Sequence, residues 1–265
     1  MAHTHEYVQP SADRVVHRSM ILFGRWAAVA GCSIVLISIL MELYFVGYIV
    51  AALLCGMAES RGRCGMSHIG MIAPIKPIDS LMWVKSCLAY TGCGLATAYL
   101  VGLLIAGIGS WFSLGTSLIY LGLTCFVCLL FLVRDLDLVR FNPPQCDRQT
   151  YKEWVVMFGW LTGVGMWGAH IGLALSTVVT YSGLYCLLLV VFGAGFGNGE
   201  WIFVSFWLGR VIFLWATPFL MDSTSNGVAI GRAIESSTSA FRMNSICGMV
   251  SLLLLSLATL YTQFV

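Results

Sequence analysis

Apolar runs close to the ~20 residues needed to cross about 30 Å of hydrocarbon recur along the whole chain. They cover residues 20–41, 43–58, 82–109, 114–133, 154–180, 184–209 and 243–264. Seven crossings are therefore expected. The first two runs are separated only by the turn around Glu42 and Tyr44, so a single long tilted helix over 20–58 is the alternative. The longest polar segments are 134–153 and 222–242. The first contains Asn142-Pro143-Pro144, which breaks any helix.

Composition agrees with lipid as the main solvent. Of the 265 residues, 59% are hydrophobic and only 10% charged, against about 25% charged in a soluble domain. The expected fold is all-α: a polytopic membrane helix bundle with a tail over 1–19 and one transmembrane domain over 20–265. Val29-Ala30-Gly31-Cys32 resembles a lipoprotein cleavage box, but Arg25 leaves almost no apolar stretch before it, so no cleaved signal is expected.

Charge placement orients the bundle. With the N-terminus in the cytoplasm and seven crossings, all 14 Lys and Arg fall in the inner segments and none in the outer turns. That is the positive-inside pattern. It predicts a multi-pass protein of a bacterial inner membrane, with a cytoplasmic N-terminus and a periplasmic C-terminus.

Ten cysteines lie mostly within apolar runs, a poor fit to the disulfide framework of a small secreted domain. Cys125 and Cys128 form a C-x-x-C inside an apolar run, where the spacing favours packing over redox chemistry.

Two short segments resemble each other, 102 residues apart: Ser67-His68-Ile69-Gly70-Met71 and Ala169-His170-Ile171-Gly172-Leu173. Each precedes a glycine-rich apolar run. In the seven-crossing topology they sit on oppositely directed helices. Two inverted three-helix halves, about 43–133 and 154–265, are expected, with a working site where they meet.

These motifs resemble those of the CcdA/DsbD-type transmembrane family over roughly residues 43–265. Within it the pattern, with its extra N-terminal helix, is most similar to the methylamine-utilisation membrane proteins of the MauF type. The family carries redox cysteines where this chain has His68 and His170. Imidazole cannot attack a disulfide, so an ordinary thiol relay at those positions is not expected. The resemblance implies an accessory protein for maturation or export-side assembly of a periplasmic enzyme such as methylamine dehydrogenase. Other accessory proteins of that enzyme would then be its partners.

His68, His170 and Glu200 are the candidate central intramembrane site. The two histidines are possible metal ligands or proton carriers. Equally, they can be core histidines bonded to backbone carbonyls. Glu200 within the 184–209 run must face the bundle or water. It reads either as a proton or cation site or as an interhelical hydrogen bond. Cys64, one turn before His68, is a possible redox or metal thiol. No catalytic triad, phosphate loop or nucleic-acid patch is present, so no nucleic-acid partner is expected and a non-enzymatic role is favoured over an enzymatic one. No cofactor is required, although a metal ion fits the histidines. Two further readings stay open: a transporter of a small solute or metal cation using His68, His170 and Glu200, and a membrane thiol-redox protein. The lipid bilayer is the partner common to all three.

Overall fold

The fold comes from a computed structural model that describes residues 10–112, 117–143, 150–174, 179–220 and 227–263. His3, His5, Cys146, Arg148 and Leu175 lie outside the described residues. Eleven α-helices and a short 3-10 turn at Ala73–Ile75 account for most of the rest, with no strand among the described residues. They are α1 (Pro10–Leu40), α2 (Tyr44–Glu59), α3 (Arg63–Ile72), α4 (Ser80–Trp111), α5 (Leu118–Asp135), α6 (Trp154–Phe158), α7 (Trp160–Gly172), α8 (Gly183–Ala194), α9 (Gly199–Leu220), α10 (Gly227–Ser236) and α11 (Thr238–Tyr261).

Five helices are long and apolar enough to cross a membrane: α1 from residue 18 onward, α4, α5, α9 and α11. A sixth span is obtained if α2 and α3, bent by 78° at their junction, count as one. The chain is thus an all-α, multi-pass membrane bundle. The α1–α2 question resolves as two helices, because Glu42 adopts φ +58° and reverses the chain. Residues 10–19, expected as a tail, belong to α1.

Contacts between helices fix their directions. α9 is antiparallel to α4: Glu200 lies against Gly102, Trp207 against Gly94, and Trp215 Nε1 donates to Thr91 Oγ1 at 3.1 Å. α8 is antiparallel to α5. Its Tyr185 ring stacks on Phe131, its Leu189 carbonyl accepts from the Tyr120 hydroxyl, and Ser182 at its start meets Asp135 at the end of α5. α11 runs antiparallel to α2, with Leu255 against Gly47 and Cys55 against Gly248. Arg61, Arg63, Arg134 and Arg140 follow or close α2 and α5, while Lys76, Lys85 and Arg242 sit near the starts of α4 and α11. This is called the basic end below.

Two expected crossings are replaced. The run 184–209 is a hairpin of two helices. It breaks at Gly195 and Gly197, whose φ values of +72° and +89° no helix interior tolerates. The run 154–180 is not a crossing. Gly159 at φ +80° separates α6 from α7, and the 13 residues of α7 reach only about 20 Å. α7 lies parallel to the first half of α4, from Trp160 beside Ser86 to Gly172 beside Gly94. Seven helices, α1, α2, α4, α5, α8, α9 and α11, run between the basic end and the opposite end; five of them, or six with α2 joined to α3, have the length and apolarity of a membrane span, and α8 does not. One consequence is that α4 and α8, which follow the two histidine motifs, both leave the basic end in the same direction. The opposite directions expected from sequence concerned the helices that bear the motifs, here α3 and α7, of which α7 leaves the basic end alongside α4.

Candidate functional site

His68 sits on α3, 2% exposed. Its ring stacks on Trp167 of α7 with centroids 4.7 Å apart and planes at 6°. On another side its Nδ1 lies 3.2 Å from the Tyr90 hydroxyl of α4, within hydrogen-bond distance. The local sequence explains this layer. Gly168 carries no side chain, and a Cβ there would overlap the Tyr90 carbonyl oxygen. The α7 backbone therefore closes onto α4 at that point, which delivers Trp167 and Tyr90 together around the imidazole. Tyr90 leans on Trp207, with centroids 5.4 Å apart. Three indoles around this layer find acceptors: Trp160 donates to Ser86 Oγ, Trp167 to the Tyr151 carbonyl and Trp207 to the Thr91 carbonyl.

His170 follows Trp167 by three residues, so one helical turn separates it from the ring that covers His68. Trp154 of α6 meets it edge-on at 5.7 Å. The two motif histidines thus share one neighbourhood, linked through Trp167. Cys64 is buried one turn before His68 on the same helix, within electrostatic reach of Tyr90. Among the described residues no group of three or more His, Cys, Asp or Glu is arranged to hold a metal ion.

Glu200 lies elsewhere. It is the second residue of α9, at the end of the bundle remote from the basic end, against Gly102. Twelve residues of α4 separate Gly102 from Tyr90, or about 18 Å of helix. The carboxylate is 5% exposed, and its Oε1 accepts from the Gly197 N–H at 2.9 Å. It closes the α8–α9 break and favours the α9 N-terminus by charge. The glycines at 193, 195, 197 and 199 and the adjacent Asn198 carried that signal: they mark a turn before Glu200.

The sequence reading missed a second buried polar group at the basic end. Asp135 closes α5 and collects donors from three elements. Ser182 donates through its N–H (3.1 Å) and hydroxyl (2.9 Å), Ser245 of α11 through its hydroxyl (2.8 Å), and Arg134 through Nη1 (2.9 Å). Its backbone carbonyl accepts from Arg242 Nε at 2.9 Å. Beside it Glu59, 1% exposed at the end of α2, accepts the N–H groups of Thr180 (3.2 Å) and Tyr181 (2.6 Å). The available signal was an acid closing an apolar run: Glu59 after Ala58, Asp135 after Val133-Arg134.

Glu59, Asp135 and Glu200 perform one physical task. α8 is short, and irregular backbone flanks it on both sides. In lipid every unpaired N–H costs several kcal/mol. At one end Glu59 and Asp135 take the N–H groups of residues 180 to 182; at the other, Glu200 and Ser110 Oγ take those of Gly197 and Phe196.

The buried cysteines also converge. Cys128 of α5 and Cys186 of α8 lie in side-chain contact, with Cys55 of α2 beside them. Cys32 of α1 and Cys247 of α11, both half-buried, form a second pair. Comparison with protein-family models, with characterised proteins and with solved structures returns no match.

Proposed function

We propose that this chain is an integral membrane accessory protein of a bacterial inner membrane. Its N-terminus and basic end face the cytoplasm, and it supports maturation or assembly of a periplasmic enzyme such as methylamine dehydrogenase. The orientation is supported by the 14 basic residues, none of which falls in the opposite turns at 41–43 and 195–198. The role is supported by the motif resemblance around His68 and His170. The observation that carries it furthest is the packing of His68. Trp167 covers one face of the imidazole and Tyr90 engages its edge. A ring held this way suits a fixed architectural part better than a gating ligand, which weighs against the transport reading.

A second reading as a membrane thiol-redox protein draws support from the Cys128–Cys186 contact. One experiment separates the two. The gene would be deleted in the source organism, and periplasmic methylamine dehydrogenase activity measured. Loss of activity, restored both by the intact chain and by a Cys128→Ser, Cys186→Ser chain, supports the accessory reading. Restoration by the intact chain alone, with the serine variant inserted normally, favours thiol chemistry. Full activity in the deletion strain overturns both.

A further inference from the structure

A cavity of about 520 Å³ opens at the basic end between α2, α5, α8 and α11. Neither reading above uses it. Its charged lining is Arg61, Arg134, Arg140, Arg242, Asp135 and Asp137. The two carboxylates are already engaged. Asp135 is held by Ser182, Ser245 and Arg134, and Asp137 pairs with Arg242 at 2.7 Å. That leaves Arg61 and Arg140 with no carboxylate in ion-pair distance among the described residues. The Arg61 guanidinium lies beside the Tyr181 hydroxyl, yet its Nε is buried with no acceptor in the structure. Buried donors of this kind are ordinarily satisfied. Glu59, behind Tyr181, is turned to the backbone N–H groups of residues 180 and 181 and has Arg210 on its other side.

We propose that this cavity binds a phosphate group, held by Arg61 and Arg140, the two guanidiniums of its lining that no carboxylate among the described residues pairs. A guanidinium presents paired donors that match phosphate oxygens, and the volume lies in the range of small-ligand sites. Two sources share this chemistry, an anionic phospholipid headgroup and free phosphate. The rim favours the lipid: Leu138 and Val139, on the loop that carries Arg140, are 72% and 47% exposed. Basic pockets at the ends of membrane helices are suited to anionic headgroups.

The test uses the full chain purified in detergent. Phosphatidylglycerol, phosphatidylcholine and inorganic phosphate are added in separate arms. Native mass spectrometry reads bound lipid, and a thermal shift reads phosphate. Phosphatidylglycerol is expected to be retained about tenfold better than phosphatidylcholine. Arg61→Gln with Arg140→Gln abolishes that preference, while Arg232→Gln, at an exposed side chain of α10, keeps it. Protection by inorganic phosphate, lost in the same double variant, assigns the free anion. Arg140→Gln alone, at an exposed side chain, lowers binding about threefold without affecting folding. Equal retention of both lipids with no phosphate effect overturns the proposal, as does a double variant that binds like the unaltered chain.

Discussion

The histidine layer between α3, α4 and α7 and the acid junction at the basic end solve the same problem by different means. Both bury polar groups in a bundle whose solvent is lipid. The histidine layer does so with rings: one hydrogen bond between His68 and Tyr90, and the Trp167 ring stacked on one face of the imidazole. The acid junction relies on donor count, since the single carboxylate of Asp135 gathers four hydrogen bonds. Losing one polar atom from the first costs one bond. In the second it strands several donors and an arginine together.

That contrast sets an order of sensitivity. Asp135→Ala should have the largest effect, about 3–5 kcal/mol of destabilisation, because it leaves Arg134 uncompensated and Ser182 and Ser245 without an acceptor. Thermal unfolding in detergent would show it, and a chain as stable as the unaltered one would erase the distinction between the regions. Gly168→Val should follow, at about 3 kcal/mol, since the new side chain must displace the Tyr90 backbone. Its signature is a changed tryptophan fluorescence spectrum from the Trp167 environment, and an unchanged spectrum would argue against the close α4–α7 approach. His68→Phe should be mildest, at about 1 kcal/mol. It keeps the stack on Trp167 and gives up one hydrogen bond. A loss as large as that of Asp135→Ala would mean that the imidazole carries more than packing.

The same contrast explains what could be read from the chain. Long apolar runs disclosed α1, α4, α5 and α11, because hydropathy over about 20 residues is what lipid selects. The α8–α9 break stayed hidden: glycine is nearly neutral in hydropathy, and 193–199 reads as close packing until the positive φ values of Gly195 and Gly197 are known. Placing Glu200 mid-membrane followed from that misreading. His68 and His170 come near each other through Trp167, a residue the motif comparison did not single out. Glu59 and Asp135 were not read as a buried junction because arginine lies within two residues of each. Such charge reads as a topology signal. Their partners, at residues 180 to 182 and 245, are far away in sequence.

The 12 residues of α8 span about 18 Å, well short of the hydrocarbon thickness. A segment of that length is a poor candidate for insertion on its own during biogenesis. The growing chain must hold it until α9 emerges to enter as its hairpin partner, against α2, α4 and α5 already in the bilayer. The order of synthesis suits this. Glu59, Ser110 and Asp135, which take the N–H groups on either side of α8, all precede it in the chain, and Glu200 follows within six residues of its end. The short helix thus meets a slot most of whose acceptors precede it in the chain, with Glu200 alone arriving after it.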